Sequence, residues 1–221
     1  MIEEFRRPSV SRYHSFALPL ILTMIAVGGI GMVVLLGRTL EVPYGNLTRD
    51  IVDVARLPLY VGFLSQSGLW VWAGTAAVCL FSAFVLSKTA TNVETHRFLF
   101  SAGLISLFLG LDDTFTLHED FYPEFGIFEG ALYVLYIAVI IGFIVRFRRS
   151  IQTQSPGLFV CALGGFALSV GADSELLSGL NDFLVENKWN YLVEDSFKFI
   201  GLVCWAGYFF RRCSREFGVA V

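Results

Sequence analysis

From Phe16 to Gly37 the chain runs for 22 residues without a charged side chain, and Gly68 to Ser87 does so for 20. As helices, at 1.5 Å per residue, each run is about 30 Å long, the thickness of a bilayer's hydrocarbon layer. In lipid every backbone N–H and C=O must be bonded inside the protein, so runs of this kind dictate a helical bundle. Composition agrees. Of the 221 residues, 55 % are hydrophobic and only 16 % charged, with a mean hydropathy of +0.66; soluble domains carry about 25 % charged residues. A net charge of -3 gives no footing for a nucleic acid as partner. The 22 Phe, eight Tyr and four Trp suit lipid contact and interfacial belts.

Reading onward, the apolar pattern predicts an all-α, polytopic transmembrane bundle of about six spans, over 16–37, 68–87, 98–117, 127–145, 157–174 and 191–210. These leave no room for a soluble domain, so residues 1–221 are expected to form one integral membrane domain. The first run is longer than the 7–15 residues of a signal-peptide core and lacks a clear cleavage site, which makes it a retained helix. Leu57–Ser67 is short and is expected to lie at the interface. Of the 16 Lys and Arg, 11 fall in segments on the N-terminal side of the membrane, whereas 15 of the 19 acids fall elsewhere. The basic bias places both termini in the cytoplasm, in a cell's inner or plasma membrane. Cys79, Cys161, Cys204 and Cys213 show no CxxC spacing and imply neither a disulfide framework nor a cysteine metal site. Trp70, Trp72, Trp189 and Trp205 are read mostly as belt or lipid contacts.

The stretch Leu109–Asp120 breaks the apolar rule. Phe98 to Leu111 is uncharged, and then Asp112 and Asp113 follow directly, about 21 Å from the membrane edge at Phe98. Counted the same way, Glu129 lies about 25 Å up its span, Asp173 about 24 Å, Lys198 about 20 Å, and Glu194 and Asp195 about 24–26 Å. Four helices therefore place ionisable groups in one layer, roughly 5–10 Å below the outer surface, where charge is costly and by default functional. Asp112, Asp113, Thr116, Glu119 and Asp120 share one helical stripe. Glu194, Asp195 and Lys198 share another, with Gly201 continuing it. His118 falls off the acidic stripe and joins it only if the helix loosens after Thr116.

Carboxylates gathered from several helices are the donors that Ca²⁺, Mg²⁺ or Mn²⁺ prefer, and a histidine beside them suits Zn²⁺ or iron. The expected ligands of a divalent metal ion are Asp112, Asp113, His118, Glu119, Asp173 and Asp195. Asp112, Asp113, Glu194 and Lys198 are the expected catalytic groups, the acids as bases and the lysine as charge balance or oxyanion donor. The expected activity is metal-dependent attack of water on a lipid-like ester, amide or phosphate. Two other readings compete: a small proton- or cation-coupled carrier, and a non-catalytic subunit whose charges form a buried ion-pair network. One lysine cannot neutralise five acids, which counts against the last. Membrane lipids are the expected partners, with a second copy or a larger membrane complex beside them. No Walker, GxSxG or dinucleotide-binding motif occurs.

Overall fold

A computed structural model describes residues 12–89, 93–118, 122–124, 126, 129–152, 156–173 and 189–219. Among these the chain is all helical, with no strand. It divides into two units, Met1–Val61 and Gly62–Val221.

The first unit holds α1 (Arg12–Thr39), α2 (Tyr44–Thr48) and α3 (Ile51–Val54). α1 carries its apolar side chains exposed along Leu22–Leu36, as a helix with lipid for solvent would. After it, Glu41 takes φ +54° and turns the chain back. The Tyr44 ring then lies where a Cβ on Gly37 would stand, 2.4 Å from the Tyr44 Cε1 atom. Only glycine at 37 lets the ring close that corner.

The second unit holds α4 (Phe63–Thr89), α5 (Val93–Phe115), α6 (Tyr122–Glu124), α7 (Glu129–Gln152), α8 (Pro156–Asp173) and α9 (Asn190–Glu216). α4 packs along α5 and α9, and α9 along α8, whereas α7 meets α5 and α8 only thinly. The core lies toward the end rich in arginine. There Phe98 stacks on Phe143 at 5.3 Å between ring centroids, with Phe147 at 5.4 Å and Phe209 at 5.6 Å. Trp205 sits between Phe159 and Phe209 and donates its indole N–H to Ser106 Oγ at 2.9 Å, joining α9 to α5. Phe143, Phe147 and Ile151 thus anchor the second half of α7 in the core. Its first half meets α5 through Tyr136, whose ring lies 5.9 Å from that of Phe108.

α8 and α9 cross at two glycines. A Cβ on Gly165 would lie 2.6 Å from Gly201 Cα and 2.8 Å from Phe197 O, both backbone atoms that cannot step aside. Backbone-to-backbone approach of this kind is how helices gain packing in lipid.

Four helices are long and apolar enough to cross a membrane: Leu22–Thr39, Phe63–Lys88, Val93–Phe115 and Gly130–Gln152. The fifth and sixth expected spans fall short of that test. α8 offers 17 apolar residues, Pro156–Ala172. In α9 the uncharged stretch is only the 12 residues Phe199–Phe210, because Glu194, Asp195 and Lys198 crowd one end and Arg211 and Arg212 the other. α4 also begins at Phe63, so the segment expected at the interface contributes its last residues to a span. Trp72 and Trp205 are corrected from lipid contacts to core residues, 4 % and 1 % exposed, while Trp70 is 80 % exposed.

The glycine crossing yields a direct test. Gly165→Ala should lower the unfolding temperature in detergent, at a cost of about 1–3 kcal/mol for the overpacked crossing. Gly164→Ala, whose Cβ meets nothing within 4 Å, should leave it unchanged or slightly raised. Equal melting of the two variants would remove the crossing as a constraint.

Candidate functional site

Adjacent residues on a helix point about 100° apart, so Asp112 and Asp113 serve different neighbours. Asp112, 4 % exposed, faces α7 and accepts a hydrogen bond on Oδ1 from the Tyr136 hydroxyl at 2.8 Å. Its Oδ2 stands 2.7 Å from His118 Nδ1. Asp113 faces α9 and forms an ion pair with the Lys198 ammonium. Asp195 lies near enough to act electrostatically on both members of that pair.

The histidine reaches its acid because the helix loosens where the sequence allowed it to. α5 ends at Phe115, Thr116 takes φ +45°, and the backbone continues in a wider, π-type turn over 117–118. A β-branched residue in the left-handed region costs about 1–3 kcal/mol, a strain that clusters at functional sites. The turn brings His118 back over Asp112, with its ring 5.8 Å from that of Tyr133 and 6.4 Å from that of Tyr136.

These groups form one end of a cavity of about 580 Å³. Asp112, Asp113, His118, Tyr133, Tyr136, Ser169, Glu194 and Lys198 supply its polar lining. Ile137, Ile140, Ile141 and Ile144 from α7, Leu163, Phe166, Ala167, Val170 and Gly171 from α8, and Trp72, Leu109 and Trp205 supply the rest. Ile137 and Ile141 on α7 and Val170 on α8 line the cavity and are also exposed. A mostly apolar hollow of this size with a few convergent polar groups is the usual form of a small-molecule site. On the other side of the Asp113–Lys198 pair, a cleft of about 20 Å³ is bordered by Ser65, Gly68 and Asp195.

The expected carboxylate cluster resolves differently. Four helices do bring polar groups to one cavity, but the acids stand as separate pairs, because neighbouring aspartates diverge. Among the described residues no three His, Cys, Asp or Glu side chains come together as a metal site. Glu119 and Asp120, and the side chains of Asp173 and Glu129, lie outside the described residues. Tyr136 was missed by sequence reasoning, which followed charge alone. The signal was there in Glu129, Tyr133 and Tyr136, spaced i, i+4, i+7 along one helical face.

Chemically, a carboxylate on Nδ1 fixes the imidazole's tautomer and steadies its protonated form, the arrangement a general base needs. The Lys198 ammonium, on the wall of the same cavity, offers donors to developing negative charge. For the ion pair, Lys198→Met alone should cost about 1–3 kcal/mol, toward the lower end because the lysine side chain is 34 % exposed. The double variant Asp113→Leu with Lys198→Met should recover part of that loss, since neither partner is then left buried alone. Unfolding in detergent measures both, and strictly additive losses would mean that the pair does not couple.

No curated protein and no solved structure matches the chain. A family model described as a domain of unknown function (DUF8692) matches residues 20–212, nearly the whole helical chain from the first apolar run to the arginines closing α9, and the chain belongs to that family.

Proposed function

We propose that this chain is a membrane enzyme that takes a lipid-like amphiphile sideways from the bilayer and acts on its polar end by general acid–base chemistry. The observation that carries the reading is the cavity, apolar along α7 and α8 and polar where Asp112, His118 and Lys198 line it. The substrate's chain would lie against Ile137, Ile141 and Ala167. Its scissile group would lie beside the dyad, with His118 taking a proton from attacking water and Lys198 facing the oxyanion. The proposal rests on the acid–base groups among the described residues. It also carries the six-span arrangement with both termini inside, in which α8 and α9 cross as shorter or more polar helices stabilised by their packing on each other and by α4. The bias of basic residues to one side supports that topology.

Two experiments test it. Lipids that co-purify with the chain, returned in vesicles, should be turned over. Asp112→Asn and His118→Ala should each lower turnover about 10²-fold or more without loss of folding. Stable, folded variants with full activity would remove the dyad from the reaction. For topology, Thr48→Cys in a background without the four native cysteines should react with an impermeant maleimide added outside, and Glu94→Cys only after the membrane is opened. The reverse pattern would invert the protein and place the cavity at the cytoplasmic face.

A further inference from the structure

The cavity has a floor. Its lining ends on α7 at Ile144, on α8 at Leu163 and on α9 at Trp205. Beyond that level the same helices carry Phe147, Phe159 and Phe209, all packed into the core. Trp205 is the fixed centre of the floor. Its ring lies 6.3 Å from that of Phe143 and 5.6 Å from that of Phe159, and its N–H is held by Ser106 Oγ at 2.9 Å. Rings packed and bonded in this way do not step aside without cost.

Two helices give the height of the space above the floor. From Tyr136 to Ile144 α7 rises about 12 Å, and from Lys198 to Trp205 α9 rises about 10 Å. The lining residues that also reach the surface, Ile137, Ile141 and Val170, stand nearer the polar end than Ile144 and Leu163, which are half-buried. An extended alkyl chain advances about 1.3 Å per carbon, its C–C bonds being about 1.5 Å long at tetrahedral angles, so about eight or nine carbons reach from the polar end to the floor. Lipid tails are as apolar as this lining, and a chain gains little by exchanging one for the other. Each carbon up to the floor is therefore neutral, whereas a carbon beyond it must fold back or displace close-packed rings.

Resting on the lipid-site reading above, we propose that the cavity gauges chain length. Its occupant is a medium-chain amphiphile, with the polar group at Asp112 and His118 and the terminal methyl on Trp205. The test uses the full chain in phosphatidylcholine nanodiscs and photoactivatable 1-alkanols of graded length: hexanol, octanol, decanol, dodecanol and hexadecanol. A neutral headgroup keeps charge out of the comparison. Labelling of α7 and α8 is measured by mass spectrometry and normalised to labelling of α1, whose exposed surface reports partition into lipid. Hexanol and octanol should label above the α1 level. Dodecanol and hexadecanol should label at least about ten-fold less than octanol, the ratio that 1.4 kcal/mol gives. Ile144→Phe and, separately, Leu163→Phe raise the floor and should move the fall in labelling to between hexanol and octanol. Ile144→Ala lowers it and should admit dodecanol. Labelling independent of length, or a fall that neither Phe variant moves, would overturn the gauge and leave the lipid site standing. If no alkanol labels α7 and α8 above the α1 level, both fail.

Discussion

The Asp113–Lys198 ion pair joins α5 to α9 across 85 residues of sequence, and much of the second unit follows from it. A largely buried carboxylate such as Asp113 needs a counter-charge, so the pair favours registers of the two helices that bring it together. One turn along α9 from Lys198 stands Gly201, where α8 closes to backbone contact through Gly165. The same level therefore carries the ion pair on one side of α9 and its tightest crossing on another. With α4, α5, α8 and α9 fixed in this way, α7 is left to close the front.

α7 does so unevenly. Its second half is held by aromatic packing on Phe98, Trp205 and Phe209, where large rings bury much area and fit closely. Its first half has branched aliphatic residues facing a hollow and a phenol bonded to Asp112. The unit is thus dense at its basic end and open at its acidic end. The cavity is the space left where α7 stops packing.

How much of this could be read beforehand follows from which physical signals are local. Runs without charge specify helices of bilayer length, and 3.6-residue periodicity puts Glu194 and Lys198 on one face. The condition for His118, a break after Thr116, was also local, since it depends on a few consecutive backbone angles. The divergence of Asp112 and Asp113 toward different helices was hidden, because it depends on where α7 and α9 stand. Tyr136 was hidden by its lack of charge. Trp72 and Trp205 look like belt residues by type, yet both lie in the interior, where the Trp205 N–H finds Ser106. In α9, charge at both ends shortens the uncharged stretch to Phe199–Phe210, so apolar length alone does not mark it as a span.

The left-handed Thr116 has a consequence for timing. Asp112 and His118 lie six residues apart, so a single backbone reversal assembles them without help from any other helix. Tyr136 and Lys198 come from far along the chain and depend on α7 and α9 being in place. Movement of the loosely held front of α7 would detach the phenol and leave the imidazole on its carboxylate. The Asp112–His118 pair is thus held by the end of α5 and the turn that follows it, and what a displaced α7 would change is only the company it keeps.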